Sequence, residues 1–116
     1  MAYDEDIANR FRDALSCYYG ITEKRMMGGV CFFHQGNMLG GADIAKDGTR
    51  RFMFRVGKQN ESIALARPGA EIVELAKGRR MGGMIFVDEA KCGGAALAEW
   101  IALAMSFVSA LEAKQR

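Results

Sequence analysis

Residues 26–41 read MMGGVCFFHQGNMLGG, an apolar run between two glycine pairs with a Gly-Asn step inside it. Whether these glycines cradle a phosphate or bend a sheet decides the fold class. A phosphate-binding glycine loop follows a strand, opens a helix, and aims backbone N–H groups and the helix dipole at the anion. Gly28-Gly29 and Gly40-Gly41 are instead followed by, or embedded in, β-forming residues, and neither GxxxxGK[ST] nor GxGxxG occurs. Val30 and Phe32 alternate with Cys31 and Phe33 as on a strand. Gly36-Asn37 suits the positive φ angles of a two-residue hairpin turn, and MLGGADI returns as a second strand. The glycines are therefore read as shaping a sheet. Gly93-Gly94, in CGGAALAEW, is the one pair that precedes a helix. An anion site there competes with a plain helix start, and no Lys, Ser or Thr stands at the P-loop positions.

Outward from this hairpin, Asp47-Gly48 tips another turn, and RRFMFRVG (50–57) alternates. Phe52, Phe54 and Val56 face a core while Arg51, Met53 and Arg55 face away. AEIVEL (70–75) and MIFVD (84–88) are a fourth and a fifth strand. The segment ITEKR (21–25) is left outside the strands. A first helix is predicted from about Asp4 to Tyr18, with Ile7, Phe11, Ala14, Leu15 and Tyr18 on one stripe and acids in its first turn. Gly20 stops it. A short helix spans about 60–66 and ends at Pro68-Gly69. A third, from about Ala95 to Ala113, buries Leu97, Trp100, Ile101, Ala104, Phe107, Val108 and Leu111. The order α-β-β-β-α-β-β-α implies an α+β two-layer domain, an antiparallel sheet with packed helices, over residues 1–116.

Composition narrows the function classes. The 116 residues are 50% hydrophobic and 26% charged, enough for a core and ordinary for a globular chain. No apolar run approaches bilayer length and the start lacks a secretory pattern, so a cytoplasmic protein with no membrane partner is expected. Cys17, Cys31 and Cys92 are odd in number and widely spaced, which excludes a disulfide framework and a zinc site. His34 is the only histidine; three residues from Cys31 on a strand, it faces the other way, so no Cys-His couple is read there. Asp88-Glu89, and Asp43 with Asp47, are read as solvated turn acids. No cofactor loop, metal cluster or nucleophile–base pair is visible, and no catalytic, cofactor or metal residue is assigned.

Charge is uneven: residues 24–80 carry +6 between ends of −3 and −1. Arg50, Arg51, Arg55, Lys77, Arg79 and Arg80 form one basic patch if the two hairpins are neighbours, the basis of a nucleic-acid-binding alternative. Leu103 and Met105 lie off the main stripe of the last helix and suggest self-association, a homodimer, through its outer face. The eight methionines are scattered along the chain, and fit adaptable packing or a pliant partner surface better than copper ligation.

Several segments in order resemble one family. TEKRMMGG (22–29), GNM (36–38), RVG (55–57), ALARPGA (64–70), GRRMGGMIFVD (78–88) and Trp100 in an apolar helix are similar to the N-terminal domain of the TfoX/Sxy competence regulators, over nearly the whole chain. Met27 and Met84 stand where that family usually has aromatics, ADIAKDGTRRF is longer than its typical turn, and the second, helical domain of the full-length regulators is absent. The resemblance implies an α-β3-α-β2-α layout and no established catalytic residues. It makes a non-catalytic regulatory or protein-interaction domain the leading expectation, acting in bacterial transcription or competence control. Nucleic-acid binding stands second and a small enzyme third.

Overall fold

A computed structural model describes residues 5–26, 28–74 and 78–113. Helix α1 spans Glu5–Ala14, strand β1 Ile21–Met26, β2 Gly29–His34, β3 Asn37–Ile44 and β4 Arg50–Arg55. A 3-10 turn at Lys58–Asn60 leads into the short α2, Glu61–Leu65, followed by β5 Ala70–Glu74, β6 Arg80–Asp88 and α3 Ala96–Val108. One six-stranded sheet runs in the order β1-β2-β3-β4-β6-β5, with every described pairing antiparallel. This is the α+β layout that the hydrophobic pattern implies.

One face of the sheet carries the core. Phe32, Phe52, Phe54 and Val56 are fully buried there beneath α1 and α3. The Phe11 ring of α1 stacks on Phe32 at 4.7 Å and lies 5.7 Å from both Phe52 and Phe54, while Trp100 of α3 stacks on Phe54 at 5.3 Å. Offset aromatic pairs of this kind add about 0.5–1.5 kcal/mol each beyond area burial. Gly40 of β3 makes α1's approach possible: a Cβ there would sit 2.2 Å from the Met53 carbonyl oxygen and 3.1 Å from the Phe11 ring. Salt links tie the layers together. Arg12 grips Glu23 of β1 with two bonds of 2.6 and 2.7 Å, which holds that carboxyl below its usual range. Arg10 reaches the Glu89 carboxylate and the Cys92 carbonyl.

The details depart from the sequence reading in several places, and β6 begins at Arg80, ahead of the MIFVD run. ITEKRM forms a sixth strand, β1, whose four central residues are exposed. As an edge strand it has no buried face to print alternation, and its charges protect an open edge. The first hairpin turns at Gln35-Gly36 (φ 50° and 86°), one residue earlier than expected, with His34 opposite Asn37. Asn37 is instead buried, and its amide donates to the Glu112 carbonyl at 2.8 Å. Helices α1 and α3 end four or five residues early, their apolar stripes continuing into turns. Met105 is buried and Leu103 packs half-buried against the core, so they do not form an outer apolar face. That placement removes the reason for expecting a homodimer through α3.

Candidate functional site

Among the described residues no helix covers the second face of the sheet, yet Cys31, Met84 and Val73 on it are buried. The reason is curvature. In a flat sheet β1 and β5 would stand about 24 Å apart at about 4.8 Å per strand. Here all six strands line a single cavity of about 390 Å³, with Met26 of β1 and Val73 of β5 both on its wall. Two register breaks assist the curl: Leu39 intrudes opposite Phe32/Phe33, and Gly82 to Met84 intrude opposite Ile72/Val73. Extra residues of this kind bend the bulged strand and increase its twist.

Five methionines converge on this cavity: Met26, Met38, Met53, Met81 and Met84. Scattered along the chain, they are gathered by the fold. The alternation in RRFMFR turned Met53 away from the helices, and β4–β6 register sets it opposite Phe86. That outward position was the signal available in the sequence. Polar groups are few and grouped. Arg51 donates to Asp43 through two bonds of 2.8 and 3.2 Å, and its guanidinium lies 3.6 Å over the Phe86 ring. Glu74 stands exposed at the margin. Burial, with the Asp43 charge adding to it, pushes the Cys31 thiol up from its ordinary pKa. The protonated form is a poor nucleophile, and His34 lines a separate depression with Cys17, Tyr18 and Tyr19. The cavity lining is thus mostly apolar, with one ion pair and one exposed acid beside it.

The expected basic patch is split, although the hairpins are neighbours: Arg55, Arg79 and Arg80 lie towards one end of β6, and Arg50 and Arg51 towards the other. Arg50 and Arg51 are adjacent on a strand and project to opposite faces. Arg50 pairs with Asp6 of α1 at 3.1 Å, and Arg51 is held by Asp43 in the cavity. Arg55 reaches round to the Phe107 ring of α3 at 5.4 Å. Arg79 and Arg80 are exposed at the start of β6, whereas Arg51 pairs with Asp88 at its end. About 3.3 Å per residue puts these groups some 25 Å apart along the strand. Lys77 lies outside the described residues. Gly93 and Gly94 have no atom near enough to touch an added Cβ, and α3 begins behind them without a side-chain cap.

Among the described residues no three His, Cys, Asp or Glu side chains converge as metal ligands, and no helix is long and apolar enough to cross a membrane. The chain matches no family model, no curated protein and no solved structure.

Proposed function

We propose that this chain is a non-catalytic interaction domain of the TfoX-like kind, which receives an apolar segment of a partner protein in its methionine-lined cavity. The observation that carries the reading is the convergence of five thioether side chains on one open sheet face. Unbranched and polarizable, methionine re-packs around differently shaped apolar surfaces at low cost, which suits a receptor for peptide side chains. A catalytic pocket would bring titratable groups together with shifted acidity. This one holds Asp43 paired with Arg51, an exposed Glu74 at its margin and a thiol whose acidity is weakened by burial. The resemblance to competence regulators suggests transcriptional control as the setting. No role is assigned to a second copy at Leu103 and Met105, which face inward.

Photo-reactive methionine, incorporated in the native host, tests the reading directly. Cross-links from Met26, Met38, Met53, Met81 or Met84 to one protein, abolished by Met53→Glu in a folded variant, are the expected result. Cross-links confined to this chain, or to a small molecule, would overturn it.

A further inference from the structure

A second depression lies at the far end of the core, between the β4–α2 connection and the end of α3, and it differs in chemistry from the methionine cavity. It encloses about 560 Å³, with Arg55, Lys58 and Gln59 on one wall and Phe107, Ala110 and Leu111 on the other. No carboxylate lines it. Glycines make room for the side chains that shape it. A Cβ on Gly57 would strike the Phe107 ring at 2.4 Å, and one on Gly82 would stand 2.8 Å from Lys58 Cε. Lys58 thus runs its stem over Gly82, and Phe107 lies against the backbone at Gly57.

Arg10, Arg12, Arg50 and Arg51 each bond to a carboxylate. Among the described residues Arg55 and Lys58 have no acidic partner, and the Arg55 bond to the Met38 carbonyl is long, at 3.4 Å. Capping of α3 does not account for them. The carbonyls of Met105, Phe107 and Val108 accept from the amides of Ser109, Ala110 and Leu111, and neither cation donates to that helix end among the described bonds. Two cations without a carboxylate partner, one of them already over the Phe107 ring at 5.4 Å, beside an aromatic and aliphatic wall match an anion with an organic body. Exposed Arg79 and Arg80, two or three residues before Gly82, extend positive charge along the same end of β6.

We infer that this cleft binds a phosphate ester, with phosphate oxygens on Arg55 and Lys58 and a ring or apolar body against Phe107 and Leu111. A free nucleotide and the phosphodiester of a single strand both present this chemistry. The inference is independent of the methionine cavity and survives or fails without it.

The test titrates the full chain at low salt with inorganic phosphate, adenosine monophosphate and a labelled short single-stranded oligonucleotide. Lys58→Glu and Arg55→Gln are compared with Lys46→Glu, an exposed charge change on a distant turn. Each cleft variant should weaken binding about tenfold, the scale of one lost charge-assisted bond, with Lys46→Glu unchanged. Binding of the mononucleotide assigns a small ligand. Binding of the strand alone, with a log–log salt slope near −0.7 per neutralised phosphate, assigns nucleic acid. Lys58→Glu alters an exposed side chain, so a retained melting temperature separates lost binding from lost folding. No binding of any probe, or equal binding by all variants, would overturn the inference.

Discussion

Two glycine substitutions with opposite expected signs test how this sheet is built. Gly40→Ala adds a methyl group whose carbon would lie 2.2 Å from the Met53 carbonyl oxygen, an atom fixed in the β3–β4 ladder, and 3.1 Å from Phe11. Backbone must move, and overpacking of this kind costs about 1–3 kcal/mol or more. Gly93→Ala adds the same group where no atom lies within 4 Å and φ is not in the left-handed region. Its effect comes chiefly from restricting the unfolded chain and should stabilise by about 0.4–1 kcal/mol. The pair should therefore differ by about 1.4–4 kcal/mol. Near 100 residues each kcal/mol moves Tm by about 4 °C, so the midpoints should separate by roughly 6 °C or more. Urea and thermal unfolding followed by circular dichroism supply the measurement. A Gly40→Ala protein as stable as wild type would refute the close-approach argument. A destabilised Gly93→Ala would show that Gly93 does more than lead into α3.

Phe11→Ala removes the ring that touches Phe32, Phe52 and Phe54. It should cost about 3–5 kcal/mol, a large part of a net stability of about 6–17 kcal/mol, as read by denaturant midpoint. Arg51→Met strips Asp43 of its bidentate partner and Phe86 of its stacked cation; with both charged side chains about a quarter exposed, a loss near 1 kcal/mol is expected. A double-mutant cycle with Asp43→Asn should then recover part of that loss. The Cys92 thiol is pushed up to about 11, chiefly by burial, with Arg10 opposing the shift and Glu89 and Asp88 reinforcing it. The unfolded chain releases this proton near pH 9 while the folded chain keeps it, so the contribution is intact below pH 9 and is lost as pH rises towards 11. Unfolding free energies of wild type and Cys92→Ala should fall with different slopes across that window, the variant's being the shallower.

The fold was legible where burial is one-sided. Phe52, Phe54 and Val56 alternate with Arg51, Met53 and Arg55 because β4 has helices on one face only, and Trp100 and Ile101 announce the stripe of α3 for the same reason. Strand β1 carried no such mark, since Thr22 to Arg25 are all exposed at an edge. The hairpin tip was misread because Asn37, a good turn former, is claimed by a tertiary bond to Glu112 that no local pattern reveals. The basic patch lost Arg50 and Arg51 to strand geometry available beforehand: neighbours in sequence on a strand cannot share a face, and Asp6, Asp43 and Glu89 neutralise these two members. The methionine cavity was hidden because residues 26, 38, 53, 81 and 84 belong to four strands and meet only when the sheet curls.

One of the two insertions that assist the curl serves both proposed sites. Val73 pairs with Met81 and Ile72 with Ile85, so Gly82, Gly83 and Met84 bulge from β6 with no partners of their own on β5. Gly83 takes φ +79°, a conformation cheap only for glycine. Its carbonyl accepts from Val56 and Gly57, and its amide donates to the Glu61 carboxylate at 2.7 Å. A Cβ at this point would lie 2.8 Å from the Gly57 carbonyl carbon, so the bulge and the β4–α2 connection are locked face to face. On one side of the lock Met81 and Met84 turn into the methionine cavity; on the other, Gly82 lies beneath Lys58 in the cationic cleft. The glycine pair in GRRMGGM thus sets the position of both surfaces without contributing a side chain to either. Its work is geometric, like that of Gly40, and it joins through rigid backbone two sites whose chemistry has nothing else in common.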